Sequence, residues 1–322
     1  QAEDGIRDCL LSRGLGDVYK RQMLHEIPEQ LEVMKGLTKH SARINHPTEA
    51  PQKISEAFRQ LRSGRPRPVG LEMPMDIMWK KSEVTLGSRT SGCPAPLPDP
   101  DLVEKAAKIL GESQQPMIFV GGGAYEACQE IKTLAETLQA PVISYQNGRG
   151  ILDERHYLAH TNTAGAILWK NCDAAISIGC RMQAERMSWG MDDALKIIHV
   201  DIDPTEINRI MKPDVGLVSD AAFTTRKIID ALNKYNLKRT SREEEMLNLK
   251  AQAEKLMEEK AGPQMAWLRA IRDVLPDNGL FVDEFTQVGY VSRVGFPVYN
   301  PRSMITPGYQ GTLGYGLSLI HI

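Results

Sequence analysis

The stretch "PMIFVGGG", residues 116–123, combines an apolar run with three consecutive glycines. An apolar run of this length is typical of a buried strand, and glycines directly after it indicate a tight turn. Because the run does not alternate with polar residues, both faces of the strand are expected to be covered. The stretch therefore predicts a parallel sheet that is buried between helices.

Strands and helices alternate on both sides of this stretch. Upstream, Asp99 is expected to cap a helix that begins at Pro100. Downstream, the next helix is predicted through Ile131, Leu134 and Leu138. The strands that follow are "PVIS", "AAISIG", "KIIHVDID" and residues 215–218, and the further helices cover residues 163–171, a segment from Pro204 and a segment ending near residue 234. This alternation predicts a complete doubly wound, Rossmann-like domain.

Shorter α/β units flank this central domain. A helix from Pro51 and the strand "VGLEMP" precede it, while a helix after Pro263, the strand "GLFVDE" and the segment "RSMIT" follow it. The predicted fold class is thus α/β, with parallel sheets covered by helices and a truncated domain on each side of the complete one. The expected divisions are residues 1–22, not native and disordered; 23–85, a flanking domain; 86–99, a linker; 100–236, the central domain; 237–262, a charged helical linker; and 263–322, the second flanking domain.

Composition and charge narrow the function classes. The 322 residues are 42% hydrophobic and 25% charged, and their formal net charge of -2 argues against a nucleic-acid binder with a basic face. No stretch approaches the roughly 18 apolar residues that a membrane span needs, so a cytoplasmic protein is expected. The five cysteines form no C-x-x-C pair, and no third ligand accompanies His156 and His160, so no metal site is predicted.

Two segments of the central domain are candidates for binding a nucleotide. The glycine turn in "VGGGAYE" lies where a dinucleotide fold places its phosphate, but Glu126 stands in place of the third glycine of that fingerprint. A nicotinamide dehydrogenase is therefore disfavoured, and a tight turn without a ligand is the open alternative. In "HVDIDP", Asp203 before Pro204 fits a helix cap, and Asp201 is the candidate ligand.

Segments from all three domains together resemble one enzyme family. The resemblance is carried by "GLTKHSARI" and "ISEAFRQLRSGRPRPVGLEMPMDI", then "PMIFVGGGA", "SIGCR" and "IIHVDIDPTEI", and finally "PRSMITPGYQGTLGYG". In this order they are similar to the pyrimidine-binding, central and diphosphate-binding domains of thiamine-diphosphate enzymes of the acetolactate synthase type. The likeness covers about 290 residues, and order and spacing over three domains are more specific than a single motif.

The resemblance implies a role for the glycine-rich segment around residue 311. In this family the coenzyme is bent into a V over a large apolar residue, and adjacent backbone groups bond the edge of its pyrimidine. Here the apolar residue would be Leu313, where the family usually carries Met, with the Gly311 carbonyl and the Leu313 N–H as backbone partners on either side of Thr312. Thr286 and Gln287 fall where the family contacts the diphosphate. A glycine-rich loop without a ligand is the alternative.

The resemblance also implies a nucleotide in the central domain. The residues that would contact FAD or ADP are Gly121, Gly122, Gly123, Arg181, Asp201 and Asp220. A central domain that is empty or holds another nucleotide is an equal alternative, because "HTNTAGA" replaces the Met-His-Gly stretch of the family. The ligands of Mg²⁺ and the catalytic glutamate of the family are expected to lie outside this chain, which is therefore expected to be an inactive fragment.

The function implied by the resemblance is that of a carboligase. Such an enzyme decarboxylates pyruvate and joins the bound two-carbon carbanion to a second 2-keto acid, a reaction of branched-chain amino acid biosynthesis. A related decarboxylase or lyase of the same fold is one alternative, and a non-catalytic nucleotide-binding α/β module is another. Because family sites form between two subunits, a homodimer or homotetramer is expected.

Overall fold

The computed structural model describes residues 29–87, 91–308 and 311–320. The chain divides into two compact units between Pro94 and Ala95, within the predicted linker 86–99. The expectation for residues 1–22 falls outside the described residues, and the predicted domain bounds remain predictions. No described helix has the length and apolar character that would let it cross a membrane.

The first unit contains a two-stranded parallel sheet. Its elements are α1 (Gln30–Leu37), β1 (His40–Arg43), a 3-10 turn (Pro47–Glu49), α2 (Ala50–Arg62), β2 (Val69–Glu72) and α3 (Met75–Met78). β1 and β2 pair in parallel, with His40 opposite Val69. The helix and the strand predicted here are present, while β1, the pairing partner of the predicted strand, was not predicted.

The second unit begins with the elements of the predicted central domain. They are α4 (Pro100–Glu112), β3 (Pro116–Val120), α5 (Cys128–Leu138), β4 (Val142–Ser144), β5 (Ala159–Thr161), α6 (Asn162–Leu168), β6 (Ala174–Ile178), β7 (Lys196–Asp201), β8 (Val215–Val218) and α7 (Ala221–Leu232). A 3-10 helix, Gly122–Ala127, separates β3 from α5, and Asp99 caps α4 by accepting from the Asp101 N–H at 2.9 Å.

These strands form one six-stranded parallel sheet in the order β5-β4-β3-β6-β7-β8. Ile118 of β3 lies opposite Val142 of β4 and opposite Ile176 of β6, so β3 is central. From β3, the next two strands along the chain, β4 and β5, extend the sheet in one direction. The chain then returns to the other side of β3, where β6, β7 and β8 extend the sheet in the opposite direction. This is the doubly wound topology, and the predicted α/β fold class is confirmed.

The residues of β3 alternate between two apolar layers, although all five are buried. Ile118 and Val120 pack with Leu134 of α5 and other residues of one layer, whereas Phe119 packs with Trp169 on the opposite face. A strand that is covered on both faces needs apolar side chains at every position, which is why this stretch shows no alternation in sequence.

The structure of the central domain differs from the sequence analysis by one wrong prediction and one omission. The helix expected from Pro204 is a run of turns over residues 204–209, and the edge strand β5 was not predicted. In the run of turns, the Asp203 carboxylate accepts from both the N–H and the hydroxyl of Thr205, at 3.0 and 2.6 Å. Local side-chain bonds of this kind compete with helix formation.

The long helix α8 (Glu243–Val274) leads out of the central domain. It bends at Ala261, whose φ of -147° is not helical, two residues before Pro263. Proline lacks an N–H and clashes with the preceding turn, which accounts for the bend. The charged helix predicted over 237–262 is thus wrong at its start, since α8 begins at Glu243. The sequence analysis also expected a separate helix after Pro263, whereas in the structure one helix continues through Pro263 with a bend.

The last elements form a small layer on α8. They are β9 (Phe281–Val282), α9 (Gln287–Gly295), β10 (Met304–Ile305) and α10 (Tyr315–Leu319). β9 and β10 pair in parallel, with Met304 opposite Phe281. Their core contains Met265 and Leu268 of α8, together with Phe296 and Val298. The carboxyl ends of β9 and β10 therefore point to the same edge.

Candidate functional site

Two loops meet where β9 and β10 end. The Glu284 carboxylate after β9 accepts hydrogen bonds from the Phe285 N–H at 2.9 Å and from the Gly316 N–H at 2.8 Å. The ring of Phe285 lies so close to Gly311 that a Cβ there would be 3.4 Å from the ring. The structure therefore places the residues just before Thr286 and Gln287 against the glycine-rich segment 311–316, the two segments to which the resemblance assigned thiamine diphosphate.

Thr286 and Gln287 lie at the beginning of α9. The Thr286 hydroxyl caps the helix by accepting from the Gly289 N–H at 3.0 Å, and the Gln287 amide oxygen accepts from Gln264 at 3.1 Å. A Cβ on Gly289 would lie 1.8 Å from the Glu284 carbonyl oxygen, so glycine is required there. The first turn of a helix carries N–H groups without helical partners and partial positive charge. An anionic group such as a diphosphate fits this end of α9.

The second loop carries backbone conformations that favour glycine. Gly308, Gly311 and Gly314 have φ angles of 66°, 64° and 77°. Leu313 lies between the last two and is 76% exposed, while Thr312 is also exposed. A large apolar side chain held outward by left-handed glycines fits a surface against which an aromatic coenzyme packs. Both loops together fit thiamine diphosphate.

A buried ion pair that sequence reasoning missed supports the first loop. Asp283, 1% exposed, accepts from Arg293 Nε at 3.0 Å, and burial raises the pKa of this carboxyl. The guanidinium carbon of Arg293 lies 4.8 Å from the ring centre of Phe285 and 5.2 Å from that of Tyr290. Arg293 thus holds the ring that packs against Gly311. The only sequence signal was an acid at the end of a strand.

A second buried arginine joins α9 to the central domain. Arg149, 2% exposed, donates to the Arg293 carbonyl at 2.6 Å and to the Phe296 carbonyl. It also forms a two-pronged ion pair with Glu154. These carbonyls lie at the end of α9, where helical partners are lacking and the dipole favours a cation. Arg149 therefore fixes the helix whose other end carries Thr286 and Gln287.

The glycines after β3 lie at the point where the strand order reverses. The Gly123 N–H donates to the Gly179 carbonyl at 3.2 Å, and a Cβ on Gly123 would lie 2.8 Å from the Gly179 Cα. A Cβ on Gly121 would lie 2.6 Å from the Gly179 carbonyl oxygen, whereas one on Gly122 would come no closer than 3.4 Å to a neighbour, the Asn147 carbonyl oxygen. Close packing of two turns accounts for Gly121 and Gly123 without a ligand.

The other residues assigned to a nucleotide already have protein partners. Arg181 donates to both carboxylate oxygens of the buried Glu206, at 2.7 and 2.8 Å. Asp201 accepts from the Asp203 N–H at 2.9 Å, and Asp220 caps α7 by accepting from the Phe223 N–H at 2.8 Å. Asp203 caps a turn, not a helix. The assignment of FAD or ADP to these residues remains a prediction.

A buried carboxyl group lies near the same edge of the large sheet. Glu185, fully buried in the π-helical segment Glu185–Trp189, accepts from the Tyr145 hydroxyl. Its other oxygen has no hydrogen-bond partner among the described residues. Burial raises the pKa of Glu185 to about 6, although the Tyr145 hydrogen bond opposes this shift. The side chain can hold a proton in mildly acidic solution, and no sequence motif pointed to it.

Comparison with known proteins finds a matching family for most of the central domain. Residues 103–231 match the family described as thiamine pyrophosphate enzyme, central domain. A probable acetolactate synthase large subunit of Methanocaldococcus jannaschii is 29% identical, over 89% of this chain and 53% of its own length. The resemblance to thiamine-diphosphate enzymes of the acetolactate synthase type is confirmed.

Other relatives of this type match the chain to a similar extent. The acetolactate synthase isozyme 1 large subunit of Escherichia coli is 26% identical, over 87% of this chain and 52% of its own length. A probable 2-ketoarginine decarboxylase of Pseudomonas aeruginosa is 28% identical, over 91% of this chain and 54% of its own length. The chain thus spans about half the length of the relatives it matches.

Proposed function

We propose that the chain is part of a thiamine-diphosphate-dependent carboligase, which decarboxylates pyruvate and joins the two-carbon unit to a second 2-keto acid. The observation that carries the proposal is the meeting of two loops at the ends of β9 and β10, with Leu313 exposed between Gly311 and Gly314. The similarity to acetolactate synthase large subunits supports the choice of reaction.

The residues of the two loops have distinct roles in this proposal. Leu313 supports the bent coenzyme from below, because its side chain is apolar and projects from the loop. The Gly311 carbonyl and the Leu313 N–H bond the pyrimidine edge, and Thr286 and Gln287 at the start of α9 hold the diphosphate. When bound, thiamine diphosphate supplies an electron sink for cleavage of the carbon–carbon bond beside a keto group.

Further components are part of the same proposal. Mg²⁺ accompanies the diphosphate, and the described residues contain no cluster of three or more His, Cys, Asp or Glu side chains that would hold it. FAD or ADP is a candidate ligand of the central domain, with Arg181, Asp201 and Asp220 among its contacts; an empty central domain is the equal alternative, because these side chains already have protein partners. The protein acts in the cytoplasm in branched-chain amino acid synthesis and assembles as a homodimer or homotetramer.

A decarboxylase of the same fold is the second candidate. Its support is the similarity to a probable 2-ketoarginine decarboxylase, which matches as large a share of this chain as the synthases do. A carboligase must shield the bound two-carbon unit until a second keto acid arrives, whereas a decarboxylase releases an aldehyde. The products formed from pyruvate therefore distinguish the two: acetolactate favours the carboligase, and acetaldehyde alone favours the decarboxylase.

Both candidate functions require thiamine diphosphate, so binding of this coenzyme tests them together. Thiamine diphosphate with Mg²⁺ is titrated calorimetrically into the 322-residue chain and into the variants Leu313→Ala, Leu313→Met and Leu280→Ala. Leu280 precedes β9 and is exposed like Leu313 but lies outside the two loops, so its variant is the matched control. We expect Leu313→Ala to weaken binding about tenfold, because apolar contact area is lost, and the other two variants to bind as the wild type does.

Two results would contradict the proposed function. One is that thiamine diphosphate does not bind at millimolar concentration while ADP does, which would favour a nucleotide-binding module. The other is that Leu313→Ala and Leu280→Ala weaken binding equally, since the coenzyme would then not lie on Leu313.

A further inference from the structure

The turn after β4, residues 146–150, is wedged between two parts of the fold. A Cβ on Gly148 would lie 2.4 Å from the Val120 carbonyl oxygen of β3. A Cβ on Gly150 would lie 2.1 Å from the Asn300 carbonyl oxygen, just before β10. At both positions only glycine lets the two backbones approach so closely. A side chain on this turn therefore starts from a rigid support.

Asn147 extends from this turn to the segment after β10. Its amide oxygen accepts a hydrogen bond from the Thr306 hydroxyl at 3.3 Å. The same hydroxyl oxygen accepts from the Gly308 N–H at 3.2 Å. A hydroxyl can donate and accept at once, and two bonds joined in this way strengthen each other. Asn147, Thr306 and Gly308 thus form a relay of hydrogen bonds, the Asn147 relay, which leads from the central domain to the loop after β10.

Gly308 is the first glycine of the loop that carries Leu313. Its φ of 66° is left-handed, and it follows Pro307. A proline followed by a glycine with positive φ is typical of a tight turn, and a threonine hydroxyl that bonds the N–H two residues ahead stabilises such a turn. The Asn147 relay therefore acts at the point where the chain turns into the loop.

The same loop is held at its other end by Glu284, whose carboxylate accepts from the Gly316 N–H at 2.8 Å. Leu313 itself is 76% exposed and lies between Gly311 and Gly314, both with positive φ. Glycines leave the backbone more freedom than other residues do, so the position of Leu313 depends on how the loop around it is anchored. A loop that presents one side chain to a coenzyme needs support of this kind, because small displacements weaken the contact.

We propose that Asn147 is a positioning residue for the coenzyme: through Thr306 it fixes the turn at Gly308, and with it the place at which Leu313 meets thiamine diphosphate. The proposal rests on the proposed function and deepens it, because it adds a residue of the central domain to the coenzyme site. Asn147 acts through Thr306 and does not touch the coenzyme.

The test removes each member of the relay in the 322-residue chain. Thr306→Val removes the hydroxyl at nearly constant shape, Thr306→Ser keeps it, and Asn147→Ala removes the acceptor. The double variant Asn147→Ala/Thr306→Val completes a cycle. Thr133→Val in α5 is the matched control, because its hydroxyl donates within its own helix, to the Gln129 carbonyl at 2.9 Å. Hydrogen exchange at the Gly308 amide is measured without ligand, and calorimetry measures binding of thiamine diphosphate with Mg²⁺. Thermal midpoints show that each variant is folded.

In Thr306→Val we expect the Gly308 amide to exchange about tenfold faster and the coenzyme to bind about tenfold more weakly, because one hydrogen bond is lost. Asn147→Ala should change both quantities in the same direction, by about threefold to tenfold. Thr306→Ser should behave as the wild type does, and so should Thr133→Val. The double variant should be no worse than Thr306→Val, because both substitutions break the same relay.

Three results would overturn the proposal. The first is unchanged exchange at Gly308 in folded Asn147→Ala, because the relay would then not hold the turn. The second is faster exchange with unchanged coenzyme binding, because the turn would then not place Leu313. The third is a double variant whose losses are the sum of the single losses, because the two side chains would then act separately. Failure of the proposed function looks different: the wild type itself would not bind thiamine diphosphate, whatever the exchange at Gly308.

Discussion

Glu284 and Gly316 are joined by a hydrogen bond of 2.8 Å from the Gly316 amide to the Glu284 carboxylate. Through this bond the loop after β9 holds the first turn of α10, which follows the loop after β10. Among the described residues, this side chain and the Phe285 ring against Gly311 both link the two loops of the candidate site. Glu284 is therefore a positioning residue: it holds the backbone near Leu313 in place by its hydrogen bond to Gly316.

Removing this carboxylate is expected to loosen the candidate site. In Glu284→Ala both accepted hydrogen bonds are lost, so the Gly316 amide should exchange its hydrogen faster and thiamine diphosphate should bind about tenfold more weakly. Glu284→Gln retains one acceptor oxygen and should give intermediate values. Hydrogen exchange and calorimetry measure the two effects. Unchanged exchange at Gly316 in Glu284→Ala would contradict the role given to this side chain.

Arg149 is expected to be critical for stability, and Arg155 is not. Arg149→Met leaves Glu154 and the end of α9 without a buried cation, which should lower the free energy of unfolding by about 3–5 kcal/mol. Arg155 also forms ion pairs, with Asp153 and Asp277, but these are exposed, and Arg155→Met should have little effect. Urea unfolding compares the two. Equal losses would show that the buried pair contributes no more than the surface pairs.

The glycines at the turns of the large sheet differ in what a side chain would meet. Gly123→Ala creates a clash with the Gly179 backbone and should cost about 1–3 kcal/mol. Gly190→Ala meets no neighbour but has a φ of 86°, so strain alone should cost about 1 kcal/mol. Gly179→Ala combines both penalties and should be the worst. Thermal unfolding gives the ranking, and a neutral Gly123→Ala would show that the turns separate easily.

Glu185 should make stability depend on pH. Its pKa is about 6 in the folded chain, above the ordinary value of 4.5, so the folded state binds the proton more tightly between these values. Stability therefore falls as the pH rises from 4.5 through 6, by about 2 kcal/mol in total. Glu185→Gln stays neutral, so relative to the wild type it should be more stable at pH 8 than at pH 4.

The control for this experiment is Glu244→Gln, because Glu244 is exposed on α8. Urea unfolding at pH 4, 6 and 8 should show no gain at high pH for this variant. If Glu185→Gln behaves in the same way, the buried carboxyl does not carry the pH dependence.

The sequence alone was enough for the architecture of the central domain. The apolar run before Gly121 and similar runs downstream predicted buried parallel strands, and Asp99 before Pro100 predicted a capped helix, because strand periodicity and capping depend on residues close in sequence. The density of glycines drew attention to the segment Gly311–Gly316 for the same reason, and its role in binding the coenzyme stays a prediction. The short strand β5 was missed because it forms by pairing with β4, and the turns after Pro204 were missed because a hydrogen bond from Thr205 to the Asp203 side chain competes with a helix there.

The tertiary structure decided how these segments are held and what lies between them. Arg149 reaches carbonyls 144 residues away, Arg293 holds Phe285 against Gly311, and Asn147 accepts a hydrogen bond from Thr306. The sequence determined the order of strands, helices and glycine turns because each is fixed by neighbours along the chain. Contacts between distant side chains, and the burial that changes the pKa of Glu185, depend on packing in three dimensions and appear only once the chain is folded.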